Sequence, residues 1–301
     1  MPDGTESGGS ATLPDREQIG RLLSDRRAFE HSLDALVSNN RFIIAVFFPL
    51  VGAVLLLASA EGLLPDPLAF NPFLVLVGVA VMRLPLISGL APLVDRRAGI
   101  ALAALIAYTY AIEFLGATTG LPYGEFSYEV SLGPMLLDTI PYALPLFFIP
   151  LVLNSYLLCI LLLGERSESF LLRFPVVAGT VVAIDLVLDP AAVAIGFWSF
   201  AEGGFYGVPL LNYAGWLLSA VVATALIDVA FVGSGLRERV ANCEYMLDDM
   251  VSFVLLWGGI NLFYANWIPV GLAALLGTGL LWTGRFDFDL SETRLGRAVW
   301  R

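Results

Sequence analysis

Eight long apolar runs constrain the fold of this chain more than any other feature. Most are long enough to cross a hydrocarbon core of about 30 Å as an α-helix. Charged residues make up only 14% of the chain, against about 25% in soluble domains. The sequence therefore predicts an all-α integral membrane protein, a polytopic bundle of about eight transmembrane helices. The runs cover approximately residues 42–60, 73–93, 99–118, 141–163, 174–190, 212–233, 250–265 and 268–283.

The arginines predict how these runs are oriented. The chain has sixteen basic residues, all of them arginine, and fifteen lie on alternate connections between the runs. Because cytoplasmic connections carry the excess of basic residues, the alternation predicts a multi-pass protein of the cell membrane with both ends cytoplasmic. The remaining arginine, Arg83, lies inside the second run.

We divide the chain into three parts. Residues 1–40 are expected to form a cytoplasmic tail with an amphipathic surface helix, 41–285 the transmembrane helical domain, and 286–301 a cytoplasmic C-terminal tail. Apolar residues between Ile19 and Val37 fall near one helical face, as in helices that lie on a membrane surface. A solvated helix packed on the inner connections would show the same pattern.

The scarcity of several residue types excludes classes of function. The net charge of −11 disfavours a nucleic-acid partner, which needs a basic surface. A retinal Schiff base needs lysine and dihaem sites need several histidines, whereas the chain has no lysine and only His31. Cys159 and Cys243 are far apart in sequence, so we expect neither a disulfide nor a metal pair. We therefore expect no metal and no cofactor.

Three acidic residues within the runs are the candidate catalytic groups. A charge at the bilayer centre costs about 2.5–3.5 kcal/mol on insertion scales, so such residues need a functional or structural reason. The predicted orientation places Glu113, Asp185 and Asp189 in the outer portions of their helices. Asp185 and Asp189 are four residues apart and share one helical face, and Pro190 is expected to end that helix. Two carboxyl groups this close are expected to hold one proton between them.

Structural roles for the charged residues stay open at this point. The aspartate pair could serve in an ion pair or a cap, and Arg83 could be the structural partner of Glu113. Asp228, near the inner end of its run, is expected to pair or to reach the interface. Asn154 could hydrogen-bond between helices.

Aromatic residues are concentrated in the connections on the predicted outer side, next to the acids. Aromatic residues at membrane edges ordinarily form an interfacial belt. An aromatic pocket over a carboxylate pair, however, favours a cationic or cation-forming ligand. The predicted substrate-binding residues are Tyr123, Phe197, Trp198, Tyr206, Asn212, Tyr213 and Trp216.

Several short motifs follow one another in the middle third of the chain. They are Glu113 with Thr119–Gly124 (TGLPYG), Asp185–Pro190 (DLVLDP), Gly196–Trp198 (GFW), and Tyr206–Pro209 (YGVP) with Asn212 and Gly215–Trp216. Taken together in order and spacing, these motifs resemble the CruF-type carotenoid hydratases, and in particular their haloarchaeal members. The hydrophobic profile agrees over nearly all of the chain, and residues 1–40 lie outside the resemblance.

The resemblance implies addition of water across the terminal C=C bonds of a long acyclic carotenoid, of the bisanhydrobacterioruberin type, to give tertiary alcohols. A carboxylic acid would protonate the double bond and water would capture the tertiary carbocation, without a metal or cofactor. We expect Asp185 and Asp189 to be the acid/base centre, assisted by Glu113. The implied partners are a lipid-soluble carotenoid, membrane lipid and other membrane enzymes of the carotenoid pathway.

Two other classes of function remain as alternatives. Membrane prenyltransferases also use a D-x-x-x-D motif, but they use it to hold Mg²⁺ and diphosphate. Here the motif occurs once, and the predicted outer side has no basic residue to neutralise phosphates. A proton-coupled transporter is the second alternative, with Glu113, Asp185 and Asp228 as a relay across the membrane.

Overall fold

A computed structural model of the protein describes residues 16–287. The predicted C-terminal tail and the first part of the N-terminal tail lie almost entirely outside these residues. The described part is mainly helical, and a π-helical turn, Ile43–Phe47, leads into its second helix. The helices are α1 Arg16–Asn39, α2 Phe48–Ala60, α3 Pro72–Leu90, α4 Arg96–Thr119, α5 Leu144–Leu163, α6 Phe170–Ala194, α7 Leu210–Phe231, α8 Leu236–Asn242, α9 Asp248–Phe263 and α10 Trp267–Trp282.

Six of the predicted runs form helical segments that are long and apolar enough to cross a membrane. The last two runs form α9 and α10, which have 16 residues each. At 1.5 Å per residue they are about 24 Å long, shorter than the hydrocarbon core. The all-α polytopic prediction is confirmed, whereas the orientation and the domain division stay predictions. The six segments are Ile43–Ala60, Pro72–Leu93, Arg96–Thr119, Leu144–Glu168, Phe170–Ala194 and Leu210–Phe231.

Four short strands lie in the long connections and form two antiparallel pairs. The strands are β1 Phe126–Tyr128, β2 Met135–Leu136, β3 Ile140–Pro141 and β4 Trp198–Phe200. β1 pairs with β4, and β2 pairs with β3. The β1–β4 pair joins the connection after α4 to the connection after α6.

The prediction that Pro190 ends its helix is wrong, because α6 continues to Ala194. Proline has no N–H, so it leaves a carbonyl of the preceding turn without its helical donor. Membrane helices tolerate this when neighbouring helices supply other hydrogen bonds. Nδ2 of Asn261 in α9 donates to the carbonyl of Val187 at 2.7 Å, next to the proline turn. Asp189 therefore lies within a continuous helix.

Arg83 does not pair with Glu113, so that structural alternative is wrong. The Arg83 guanidinium forms a buried ion pair with Asp249 of α9, and its Nε donates to the Leu146 carbonyl at 3.0 Å. Nδ2 of Asn154 donates to the other oxygen of Asp249 at 2.8 Å, so Asn154 does hydrogen-bond between helices. The sequence reasoning missed Asp249 because it lies one residue before the predicted run.

Asp228 is paired, as expected. Its carboxylate lies 2.8 Å from Nη2 of Arg173 in α6 and accepts a hydrogen bond from the Tyr156 hydroxyl of α5. The first helix, α1, is held against the end of α3, where Nη2 of Arg26 donates to the carbonyls of Ala91 and Val94 at 2.8 and 2.9 Å. These contacts agree with a helix that packs on an inner connection.

Candidate active site

The β1–β4 pair forms the roof of the candidate site. Its register places Phe126 opposite Phe200 and Tyr128 opposite Trp198, with Ser127 and Ser199 between them. Because successive side chains in a strand point to opposite faces, the four aromatic rings share one face and the serines share the other. The serine hydroxyls lie 3.1 Å apart on that second face.

Beneath the roof lies a cavity with about 820 Å³ of empty space, including space open to the surroundings. Ten of its eighteen lining residues are aromatic, so ring faces make up most of its wall. Its polar side-chain groups come from two acids, one amide, two phenols and three indoles. The lining residues are Glu113, Tyr123, Phe126, Tyr128, Leu132, Pro141, Leu144, Phe147, Phe148, Leu151, Leu188, Asp189, Phe197, Trp198, Phe200, Asn212, Trp216 and Trp257.

One amide holds the aspartate pair. Nδ2 of Asn212 in α7 donates to Oδ2 of Asp189 at 2.5 Å and to Oδ2 of Asp185 at 3.2 Å. Asp189 lines the cavity, whereas Asp185 is fully buried behind it and does not. The structure therefore brings the predicted pair together but gives its members different positions. Asp189 faces the cavity, and Asp185 contacts Asp189 and Asn212.

Glu113 reaches the same cavity from α4. Its Oε1 accepts a hydrogen bond from the Tyr128 hydroxyl of β1. Burial, and then the nearby charge of Glu113, raise the pKa of Tyr128 well above its ordinary value. Tyr128 therefore remains a hydrogen-bond donor at neutral pH and fixes the orientation of the Glu113 carboxylate.

The three acids have no basic partner among the side chains described for residues 25–287. The ion pairs found there all involve other carboxylates, at Asp249, Asp228 and further positions. Burying several negative charges together without a cation is unfavourable. Among the described residues these three acids are therefore not held by ion pairs, unlike Asp228 and Asp249.

The ring of Tyr123 lies between two glycines. A Cβ atom at Gly116 of α4 would lie 2.8 Å from Cδ2 of the ring, and one at Gly215 of α7 would lie 2.6 Å from Cδ1. The Tyr123 hydroxyl is 2.7 Å from Oγ of Ser219, and its ring centroid is 6.1 Å from that of Trp216. The two glycines thus let a bulky residue of the connection enter between α4 and α7.

Replacing Gly215 by alanine should destabilise the protein and lower its activity. The new methyl group would also lie 2.7 Å from the Pro122 carbonyl, so backbone as well as ring must move. Overpacking of this kind costs about 1–3 kcal/mol. The midpoint of thermal unfolding in detergent measures the effect. Gly179→Ala is the matched control, because a Cβ there meets nothing within 4 Å. Equal stability of the two variants would contradict the close contact.

Five of the seven predicted substrate-binding residues line the cavity, namely Tyr123, Phe197, Trp198, Asn212 and Trp216. The other two, Tyr206 and Tyr213, do not line it. The Tyr206 hydroxyl accepts a hydrogen bond from the Ile268 backbone N–H at 3.4 Å, and the Tyr213 ring packs against Phe205 at 6.2 Å. Aromatic character in a connection predicts burial but not the direction of a side chain.

Sequence reasoning missed six aromatic residues of the wall. Five of them come from β1, β4 and α5 and one from α9. Both strands repeat the order aromatic, serine, aromatic, and this period of two was the signal that could have identified the three missed residues of the strands. The missed residues are Phe126, Tyr128, Phe147, Phe148, Phe200 and Trp257.

A family model described as "carotenoid biosynthesis protein" matches residues 70–280. The chain belongs to this family. A bisanhydrobacterioruberin hydratase of Haloarcula japonica is 68% identical over 268 residues, which cover 89% of this chain and 92% of that relative. No solved structure matches the chain. All the cavity residues of this carotenoid biosynthesis protein fall within the region that the family model matches.

Proposed function

We propose that this protein is a carotenoid hydratase that adds water to a terminal C=C bond of a long acyclic carotenoid of the bisanhydrobacterioruberin type. The observation that carries the proposal is a cavity in which aromatic faces surround two carboxyl groups, Glu113 and Asp189, that have no basic partner in the described residues. The name and 68% identity of the relative support the same activity.

Asp189 is the proposed acid. Its proton, shared with Asp185 behind it, moves to the less substituted carbon of the terminal double bond, a C–H bond forms, and the π bond breaks to leave a tertiary carbocation on the other carbon. The faces of Trp198, Trp216 and Phe197 stabilise this cation through their negative π-electron density. Asn212 holds the pair in place by donating to both carboxyl groups.

Glu113 is the proposed base. As the oxygen of a water molecule forms the C–O bond to the cation, the Glu113 carboxylate takes one of its protons. Tyr128, which donates to Oε1, keeps this carboxylate oriented. The product is a tertiary alcohol, and atoms balance with one water consumed for each double bond.

The apolar wall fits a substrate that reaches the site from lipid. Leu144, Phe147 and Leu151 line the cavity from α5, which is among the helices long enough to span a membrane. Location in the cell membrane and association with other enzymes of the pathway belong to this proposal.

The partners of the acidic residues argue against the two alternative functions. A prenyl diphosphate needs cations beside it, and the acids of the site have no basic partner among the described side chains. A relay from Asp185 to Asp228 would need a free carboxyl at its inner end, whereas Arg173 and Tyr156 hold Asp228.

The test is the mass spectrum of carotenoids from a host that makes the anhydro precursor, with and without this chain. We expect a gain of one water for each terminal double bond. Unchanged pigment, with the protein shown to be folded in the membrane, would contradict the proposal. A host that expresses Asp189→Asn controls for unrelated effects of expression.

A further inference from the structure

Two polar atoms lie buried behind the cavity wall without a protein partner. They are Oδ1 of Asp185 and the hydroxyl of Tyr213, and neither forms a hydrogen bond with any group in the described residues. Asp185 is fully buried and Tyr213 is 8% exposed, and neither lines the cavity. Buried polar atoms in proteins are nearly always hydrogen-bonded, and ordered water serves where protein groups do not.

Asn212 links the two residues. Its Nδ2 donates to the other oxygen of Asp185 at 3.2 Å, and Asn212 immediately precedes Tyr213 in α7. A phenol can both donate and accept, and a carboxyl oxygen accepts, so together they offer a water molecule two complementary partners.

We propose that Asp185 and Tyr213 hold a water molecule that returns a proton to the aspartate pair after each turnover. The inference rests on the proposed hydratase function. Asp189 gives its proton to carbon on the cavity side. The bound water then gives a proton to the pair and takes one from water outside, while the proton accepted by Glu113 returns to bulk water. The net reaction still adds one water and neither gains nor loses protons.

The position of Tyr213 supports a route to the outside that is separate from the carotenoid cavity. Its ring packs edge-on against Phe205, in the connection of residues 201–209. Glu202 and Gly203 of that connection are exposed. Carotenoid and protons would therefore approach the aspartate pair from different sides, and Tyr213 is a positioning residue that does not touch the substrate.

Tyr213→Phe tests the inference in the full-length protein, reconstituted with the anhydro carotenoid. The variant keeps the ring and removes only the hydroxyl. We expect the steady-state rate of hydration to fall about tenfold, the effect of losing one hydrogen bond. The rate of the first turnover should remain that of the unaltered protein, because the pair already holds its proton. Tyr142→Phe, at a ring that is 52% exposed, is the matched control.

A second measurement uses the unaltered protein. In D₂O the steady-state rate should fall more than the rate of the first turnover, because only the former includes return of the proton. Equal isotope effects would overturn the inference. So would a Tyr213→Phe variant in which both rates are unchanged or both fall equally. No hydration by the unaltered protein would instead overturn the proposed function, and the inference with it.

Discussion

Asparagine in place of Asp189 should lower the rate of hydration by about 10²- to 10⁴-fold, the usual contribution of a positioned acid. Asparagine keeps the size of the side chain and its place beside Asn212 but cannot donate a proton to carbon. The variant should therefore fold and accumulate in membranes like the unaltered protein. Product formation measured by mass spectrometry, relative to the amount of folded protein, gives the effect. Near-normal activity would contradict the role of Asp189.

Glu113→Gln distinguishes the acid from the base. This variant should also lose hydration, because nothing accepts the proton of the attacking water. Protonation of the double bond continues, however, and the cation returns a proton to the Asp189 carboxylate. In D₂O, Glu113→Gln should thus yield unhydrated carotenoid that carries deuterium near its end, whereas Asp189→Asn should yield none. The opposite pattern would exchange the two roles.

Asp185→Asn should resemble Asp189→Asn, although Asp185 does not line the cavity. Without the second carboxyl group, Asp189 loses the partner with which it shares its proton. Deuterium exchange and hydration should then fall together. Exchange at the normal rate in Asp185→Asn would show that Asp189 holds its proton alone.

Arg83→Met should have the largest effect on stability. Arg83 is 7% exposed and pairs with Asp249, which is fully buried. Removing one member of a buried pair leaves a charge without its partner and costs about 3–5 kcal/mol. The Asp249 carboxyl would keep only the Asn154 amide. Chemical unfolding in detergent micelles should show the loss in the free energy of unfolding.

Arg237→Met is the matched control for this prediction. It breaks an ion pair of 2.8 Å with Glu168, in which the two side chains are 39% and 77% exposed. Exposed pairs contribute about 0–1 kcal/mol, so the variant should stay close to the unaltered protein. Adding Asp249→Asn to Arg83→Met should recover part of the lost stability, since two neutral amides remain. Equal losses in Arg83→Met and Arg237→Met would contradict the buried role of Arg83.

The helices could be predicted from the sequence because each depends on a local run of apolar residues. Predicted runs and observed helices differ by up to six residues at an end: a π-helical turn takes up the start of the run 42–60, and the run 174–190 became α6 Phe170–Ala194. Half of that difference lies after Pro190, whose local effect predicts an end, although the helix continues where Nδ2 of Asn261 donates to the Val187 carbonyl. Spacing by four residues correctly placed Asp185 and Asp189 on one face, where one amide contacts both.

The rest of the site depends on contacts between residues far apart in sequence. The pairing of Tyr128 with Glu113, and of Arg83 with Asp249, is decided by how helices and connections pack. Periodicity within one segment carries no information on such partners. The division of the aspartates between wall and interior likewise depends on how the other helices and connections pack around α6, and no local pattern indicates it.

The close fit of Tyr123 between Gly116 and Gly215 limits which substitutions these three positions can accept during evolution. A change at either glycine is harmful while the tyrosine ring occupies the gap, and loss of the ring leaves a void that a methyl group could then fill. The three positions should therefore have changed together as the family diverged. In relatives that have a small residue at position 123, we expect alanine or serine at the positions of Gly116 and Gly215.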